Sequence, residues 1–385
     1  MLLFSSILHF TAACLIALVA NELGLRGWRK SAGAHWTERA RLLWPARVTA
    51  AQSVVLLPFI LNFAHQIALP YSEHSFIADG IAAFLGAVLG NQWFDREVYP
   101  ELDFRKWCHQ VLVLCGFRFG LVAMLIAGIA LMPSEPGLKM AAVALGFVGL
   151  VLAINLGLLL RLLRWIRFVY PAEIRLTGIV EQVASRMHVR VRSTWQMKGT
   201  WSNAFALPAT GELVFSERLL AVCTDQEVGA ICSHELAHLT ESKMVLAGRL
   251  VGAMSFLPLI FITPSLTQLG ILGLLLPIAG MAAVAWFSRW LSQRMEKRAD
   301  SIAKADQTDD GVYAMALERL YRENQVPAVN INNRQTHPHL YDRMIAAGVT
   351  PGYPRPKKPG RMTWAGYGYA VSFAILIVWM IATGH

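Results

Sequence analysis

The residues of this chain best suited to chemistry are two histidines four positions apart, with a glutamate directly after the first: His234, Glu235 and His238. Residues four apart lie on one face of an α-helix, so both imidazoles can bind the same metal ion. A hydrolytic zinc ion uses three protein ligands, leaves one position for water and lowers the pKa of that water to near neutral. The pattern therefore predicts a zinc site with Glu235 as general base and with a third ligand, a carboxylate or a histidine, further along the chain.

The surroundings of this HExxH pattern favour a helix. Such a pattern arises by chance in roughly one of a hundred chains like this one, so its setting matters. Thr224 precedes apolar residues at helical spacing, and Glu227 follows three positions later, which predicts a capping box at the helix start. Apolar residues resume at Met244, and this predicts that the zinc helix continues directly into an apolar segment.

The composition is that of a membrane protein. Hydrophobic residues make up 55% of the chain and charged residues 16%, against roughly 25% charged in soluble domains. Eight apolar segments reach the ~20 residues that a bilayer crossing needs. These predicted spans are residues 2–20, 48–69, 75–93, 111–132, 138–160, 244–262, 269–290 and 364–383. The third of these spans is the weakest, because it contains Asp79. The fold class predicted is a mainly α, polytopic membrane protein.

Lysine and arginine in the connecting loops predict an orientation. The loops after the first, third and fifth spans and the one before the eighth are basic, whereas residues 70–74, 133–137 and 263–268 contain no Lys or Arg. Basic loops face the cytoplasm, so we expect a cytoplasmic zinc site with both termini outside, as in a bacterial inner-membrane protein. The net charge of +10 is then a sign of topology, and a nucleic-acid partner is a poor explanation of it.

Ionisable residues inside the predicted spans are costly in lipid and often functional. Arg118 in the fourth span could pair with Asp79 or with a backbone carbonyl. We interpret His9 and His65 as polar groups at helix contacts rather than as ligands.

Four separate segments resemble the integral-membrane zinc metallopeptidases that include the HtpX heat-shock protease and the Ste-type CAAX prenyl endopeptidases. They are residues 203–208 with Gly211, the HExxH pattern, residues 296–300 as ExxAD, and His337-Pro338 followed by Arg343. The match covers residues 171–349, with its motifs in the family's order. It implies one Zn²⁺ per chain, held in a small α+β zincin-like (gluzincin) domain.

The resemblance also implies roles for residues that would otherwise be unremarkable. Glu296 becomes the third zinc ligand, although a glutamate beside Lys297 and Arg298 is usually a solvated helix face. His337 and Arg343 become donors to the oxyanion of the transition state, whereas a His-Pro pair alone is usually a turn. Asp300, one helical turn from Glu296, is the natural acceptor for a ligand imidazole N–H.

A small sheet is predicted before the zinc helix, from the alternation at residues 189–193 and the short strand at 212–216. The backbone of Asn203 and Ala204 would add an extended substrate to its edge. We divide the chain into an N-terminal membrane domain (1–168), a first catalytic part (169–243), a two-span hairpin (244–290), a second catalytic part (291–355) and a last span (356–385).

The function predicted is a membrane-embedded zinc endopeptidase acting on proteins or peptides presented at the bilayer. The alternative is a membrane sensor with a peptidase-like domain that cleaves little or only one substrate. An intact Glu235 argues against that alternative, because a scaffold needs no general base. A transporter is the least favoured, since the sequence shows no inverted repeat or paired broken helices.

Overall fold

The computed structural model describes residues 2–69, 75–331 and 338–383, and it is mostly helical (73% helix). The chain divides into two compact units. The first comprises residues 1–107, 324–331 and 353–385, and the second residues 108–323 and 332–352. The first three predicted spans and the last one thus fall in one unit. The five-part division predicted from the sequence stays a prediction.

The first unit is built on long apolar helices. Its helices are α1 (Leu2–Lys30), α2 (Trp36–Ala68), α3 (Phe76–Val98) and α15 (Trp364–Thr383). Helices α1 and α3 approach closely at Gly86 and Gly90, where an added Cβ would lie 2.1 Å from the carbonyl oxygen of Phe10 and 2.5 Å from that of Cys14. Small residues four apart permit such close packing of helix backbones.

The second unit holds the site predicted from the sequence. Helix α4 (Phe104–Leu131) begins in the first unit and continues in the second. The helices that follow are α5 (Leu138–Ala153), α6 (Leu159–Trp165), α7 (Ile174–Arg186), α8 (Glu217–Val222), α9 (Asp225–Leu239), α10 (Lys243–Ala253), α11 (Ile262–Leu269), α12 (Leu275–Asp306), α13 (Val312–Glu323) and α14 (Leu340–Ala346).

The predicted small sheet is present. In the described residues it has strands β1 (Val169–Pro171), β2 (Ser193–Met197), β3 (Ala204–Leu207) and β4 (Glu212–Ser216) in the order β1-β2-β4-β3. Strand β4 has the predicted bounds, whereas β2 begins where the predicted strand ends. Strand β2 runs parallel to β4 and β3 antiparallel to it, which leaves β3 at the sheet's edge. Buried side chains of β4, α7 and α9 form one hydrophobic core.

Four helical segments within the described ranges are long and apolar enough to cross a membrane: Leu3–Lys30, Trp36–Ala68, Leu138–Trp165 and Leu257–Asp306. They correspond to the first, second, fifth and seventh predicted spans. The predicted sixth span is not one continuous helix, because α10 ends at Ala253 and a tight helical turn follows at Leu257–Phe261. The last predicted span carries a shorter apolar helix, Trp364–Trp379.

The close contact of α1 and α3 predicts the effect of added side-chain volume. Gly86→Ala should destabilise the protein by about 1–3 kcal/mol, because its methyl group would collide with the α1 backbone. Gly27→Ala on α1 is the matched control: nothing lies within 4 Å of its added Cβ, and alanine is the better helix former. Thermal unfolding of both variants in detergent tests this, and equal stabilities would contradict the close packing.

Candidate metal centre and active site

Helix α9 carries the HExxH residues and begins at the predicted capping box. The Glu227 N–H donates to the Thr224 Oγ1 at 3.3 Å, and the Thr224 N–H donates to the Glu227 Oε2 at 2.8 Å. The Arg319 Nε of α13 donates to the Glu227 Oε1 at 2.9 Å. These bonds satisfy orphan amides of the first turn and fix where the helix starts.

The functional residues of α9 are buried. His234, Glu235 and His238 are 7–8% exposed, and the two imidazole centroids lie 5.0 Å apart. Leu236, fully buried on the same helix, belongs to the core shared with α7 and β4. The core thus holds α9 firmly against the sheet.

Glu296 on α12 meets both imidazoles. Its Oε2 lies 3.5 Å from the Nε2 of His234, and its Oε1 lies 3.6 Å from the Nε2 of His238. One ligand atom from each of the three residues lies within 4.8 Å of the other two. Two donors on a tetrahedral zinc ion stand about 3.3 Å apart, so this buried N, N, O set fits one small divalent ion. The three predicted ligands are therefore brought together.

The outer nitrogen of His234 faces a carboxylate. Its Nδ1 lies 3.2 Å from the Asp300 Oδ1 and 2.8 Å from the Tyr313 hydroxyl, which donates to the same carboxylate at 2.6 Å. Arg343 donates to both Asp300 oxygens, at 2.7 and 2.9 Å. Asp300 thus occupies the place predicted for it, one helical turn from Glu296 and next to the ring of His234.

The outer nitrogen of His238 faces a second carboxylate that sequence reasoning missed. The Nδ1 lies 2.8 Å from the Glu241 Oε1, and Arg249 donates to both oxygens of Glu241, at 2.5 and 2.6 Å. The expected continuous helix from α9 onward is wrong: α9 ends at Leu239, and Ser242 caps the start of α10. This break turns Glu241 back under His238. Its position three residues after His238 was the available signal.

The His234–Asp300 and His238–Glu241 pairs shift the pKa values of His234 and Glu241. Burial lowers the pKa of His234, but its hydrogen bonds to Asp300 and Glu296 outweigh burial and raise that pKa to about 9. Burial raises the pKa of Glu241, yet the bonds from His238 and Arg249 hold it below its usual range. An imidazole whose Nδ1–H is directed at a carboxylate presents the Nε2 lone pair to a metal. Both rings are held in that orientation.

Glu235 contacts the edge strand of the sheet. The Ala206 N–H of β3 donates to the Glu235 Oε2 at 2.7 Å. In an antiparallel pair, successive residues alternate between bonding the neighbouring strand and facing away from it. Asn203 faces β4, since its N–H donates to the Ser216 Oγ and its C=O accepts from the Ser216 N–H, each at 2.9 Å. Ala204 and Ala206 therefore direct their backbone groups away from β4, and Glu235 already accepts from the Ala206 N–H.

The substrate role predicted for the backbone of Asn203 is corrected by this register, because Ser216 already uses both its groups. The role predicted for Ala204 fits the register. Arg343 on α14 is 7% exposed and bound to Asp300. His337, its predicted partner at the oxyanion, lies outside the described residues, as does the side chain of Arg118.

The carboxylate behind His238 predicts a loss of metal affinity on substitution. Glu241→Gln should weaken metal binding about 10- to 100-fold, because the imidazole loses the charged partner that orients it. Glu227→Gln is the matched control: that carboxylate is also buried and paired with an arginine, but it touches neither histidine. Competition titrations with a zinc chelator measure both, and equal affinities would contradict the orienting role.

Comparison with known proteins agrees with this geometry. The model of peptidase family M48 matches residues 172–348, a range that contains helices α7 to α14 and the site residues on them. No curated protein matches the chain. Family M48 is metal-dependent and includes the HtpX and Ste-type enzymes. Residues 172–348, with His234, Glu235, His238 and Glu296 gathered in one buried site, are therefore similar to peptidase family M48, and this similarity supports a metallopeptidase.

Proposed function

We propose that this protein is a membrane-embedded zinc endopeptidase that hydrolyses peptide bonds of membrane or membrane-associated proteins near the cytoplasmic face. The observation that carries the proposal is the meeting of three buried donor residues with Glu235, whose carboxylate touches the open edge of β3. A metal site, a base and a strand edge for the substrate are the parts that peptide hydrolysis requires.

His234, His238 and Glu296 would hold the zinc ion. When bound, zinc supplies a Lewis acid that polarises the scissile carbonyl and makes water a nucleophile at neutral pH. Asp300 and Glu241 keep the two imidazoles oriented. Both carboxylates are themselves fixed by arginines, which limits their movement during turnover.

Glu235 is proposed to take a proton from the attacking water and to deliver it to the leaving amine. The Ala206 N–H holds its Oε2. Among the described residues, no hydrogen bond is made to the other oxygen, Oε1, which is then free to receive the proton. The Ala206 N–H thus positions the Glu235 carboxylate through one oxygen and leaves the other oxygen for the proton.

An extended substrate is proposed to pair with β3. Ala204 offers its N–H and C=O at the open edge, and Ala206 its C=O, since Glu235 already accepts from the Ala206 N–H. A peptide added there would run past Glu235. His337 and Arg343 are proposed as donors to the developing oxyanion. Arg343 also clamps Asp300, so its loss would disturb the orientation of His234 as well.

Placement in a bilayer is supported by the four long apolar helices and by the separation of basic from non-basic loops. We propose eight spans, a cytoplasmic catalytic domain and both termini outside, in a bacterial inner membrane. A site at the membrane surface suits substrates that are misfolded membrane proteins or tethered tails.

Replacing the proposed base separates metal binding from chemistry. Glu235→Gln should retain bound zinc and lose at least 100-fold in the cleavage rate of a membrane-tethered reporter, since general-base catalysis contributes about 10²–10⁴-fold. Zinc content by mass spectrometry and reporter cleavage in proteoliposomes measure the two properties. Zinc without cleavage in the wild type would favour the sensor alternative, and absence of zinc would overturn the ligand assignment.

The edge of β3 gives a second test. Ala204→Pro should lower kcat/KM about five- to tenfold, because it removes an outward N–H worth about 1 kcal/mol to a paired substrate. The β3–β4 ladder does not use that N–H, so the unfolding temperature should change little. Ala204→Ser, which retains the N–H, is the control. Equal kcat/KM for the two variants would contradict strand addition at this position.

A further inference from the structure

A second cluster of metal-binding side chains lies within the first unit. It consists of His9 on α1, His65 on α2 and Asp79 on α3, and one potential ligand atom of each lies within 4.8 Å of the other two. His9 is 3% exposed and Asp79 is fully buried. Three different helices thus each bring one such side chain to the same point.

The carboxylate of this cluster is held as an acceptor. The Ser5 hydroxyl donates to the Asp79 Oδ2 at 2.7 Å, and the Ser6 hydroxyl donates to its Oδ1 at 2.6 Å. In the described part of the chain, no lysine or arginine pairs with Asp79, and the one ion pair found is with the His9 Nδ1 at 3.9 Å. A buried carboxylate among apolar helices is costly unless positive charge compensates it.

The His9 imidazole has an orienting partner of the kind that ligand histidines commonly have. The His9 Nδ1 lies 2.8 Å from the Ser5 carbonyl oxygen, which accepts its proton and leaves the Nε2 lone pair for another partner. A backbone carbonyl on the outer nitrogen is a usual orienting partner for a ligand histidine. The His9 and His65 rings stack with centroids 5.1 Å apart, and one ring nitrogen of each lies within 4.8 Å of the other.

We propose that His9, His65 and Asp79 bind a second divalent metal ion, zinc by the character of the donors. Two imidazoles and a carboxylate form a common zinc ligand set. The ion would supply positive charge to Asp79, which no described lysine or arginine pairs with, and would tie α1, α2 and α3 together. The competing account is a protonated His9 paired with Asp79 and no metal.

The three residues lie at one end of their helices. Asp79 is the fourth residue of α3, and His65 is the fourth from the end of α2. His9 lies in the second turn of α1, whose other end carries Arg29 and Lys30. In the orientation proposed above, this is the outer end, away from the basic loops. The second ion would then be taken from the compartment outside.

The test uses the full chain with the HExxH ligands removed. His234→Ala/His238→Ala protein, purified in detergent and equilibrated with micromolar Zn²⁺, should keep one zinc per chain. Adding His65→Gln or Asp79→Asn to this variant should weaken that binding at least tenfold. His188→Asn on the same background, at an exposed loop position, is the control and should keep the ion. Absence of zinc from the double variant would overturn the proposal.

A second readout guards against variants that fail to fold. Zn²⁺ should raise the unfolding temperature of the folded double variant, and Co²⁺ in its place should give the visible absorption of a four-coordinate N and O site. No shift and no such spectrum would favour the His9–Asp79 ion pair. The same measurement separates this proposal from the proposed peptidase. If the HExxH site binds no zinc and the second site does, wild type and double variant will each hold one zinc per chain.

Discussion

The candidate metal centre depends on the orientation of two imidazole rings. Each ring has two nitrogens, and both Nε2 atoms face Glu296. Asp300 and Glu241 impose this by engaging the Nδ1 atoms. Arg343 and Arg249 in turn hold those carboxylates with two hydrogen bonds each. The geometry at Glu296 therefore depends on residues outside the three proposed ligands.

Both units contain buried carboxylates, but the groups that pair with these carboxylates differ. In the second unit, each outer carboxylate has an arginine, so the cost of burial is offset by charge-assisted hydrogen bonds. In the first unit, Asp79 has two serine hydroxyls and a histidine but no described arginine or lysine. That difference distinguishes Asp79 from Asp300 and Glu241 and motivates the second metal site.

Much of the local structure was predictable. The capping box of α9, the strand Glu212–Ser216 and the helix around residues 173–187 follow from side-chain patterns within a few turns, and the structure has them. The break after Leu239 was missed, because resumed apolar residues suggested continuity while the stop depends on a new cap at Ser242. The break within the predicted sixth span was missed for a related reason: hydropathy reports apolar length and does not report helix continuity.

The sequence by itself determined that His234 and His238 share a helix face, because their spacing is fixed by the helical repeat. Resemblance added Glu296, but no local rule could have placed it. Only the tertiary structure decided that Tyr313, 79 residues from His234, and Arg249 complete the site, and that Ala206 holds Glu235. These pairings depend on how helices and strands pack against one another. Packing is set by the summed burial of many side chains, and spacing along the chain does not encode it.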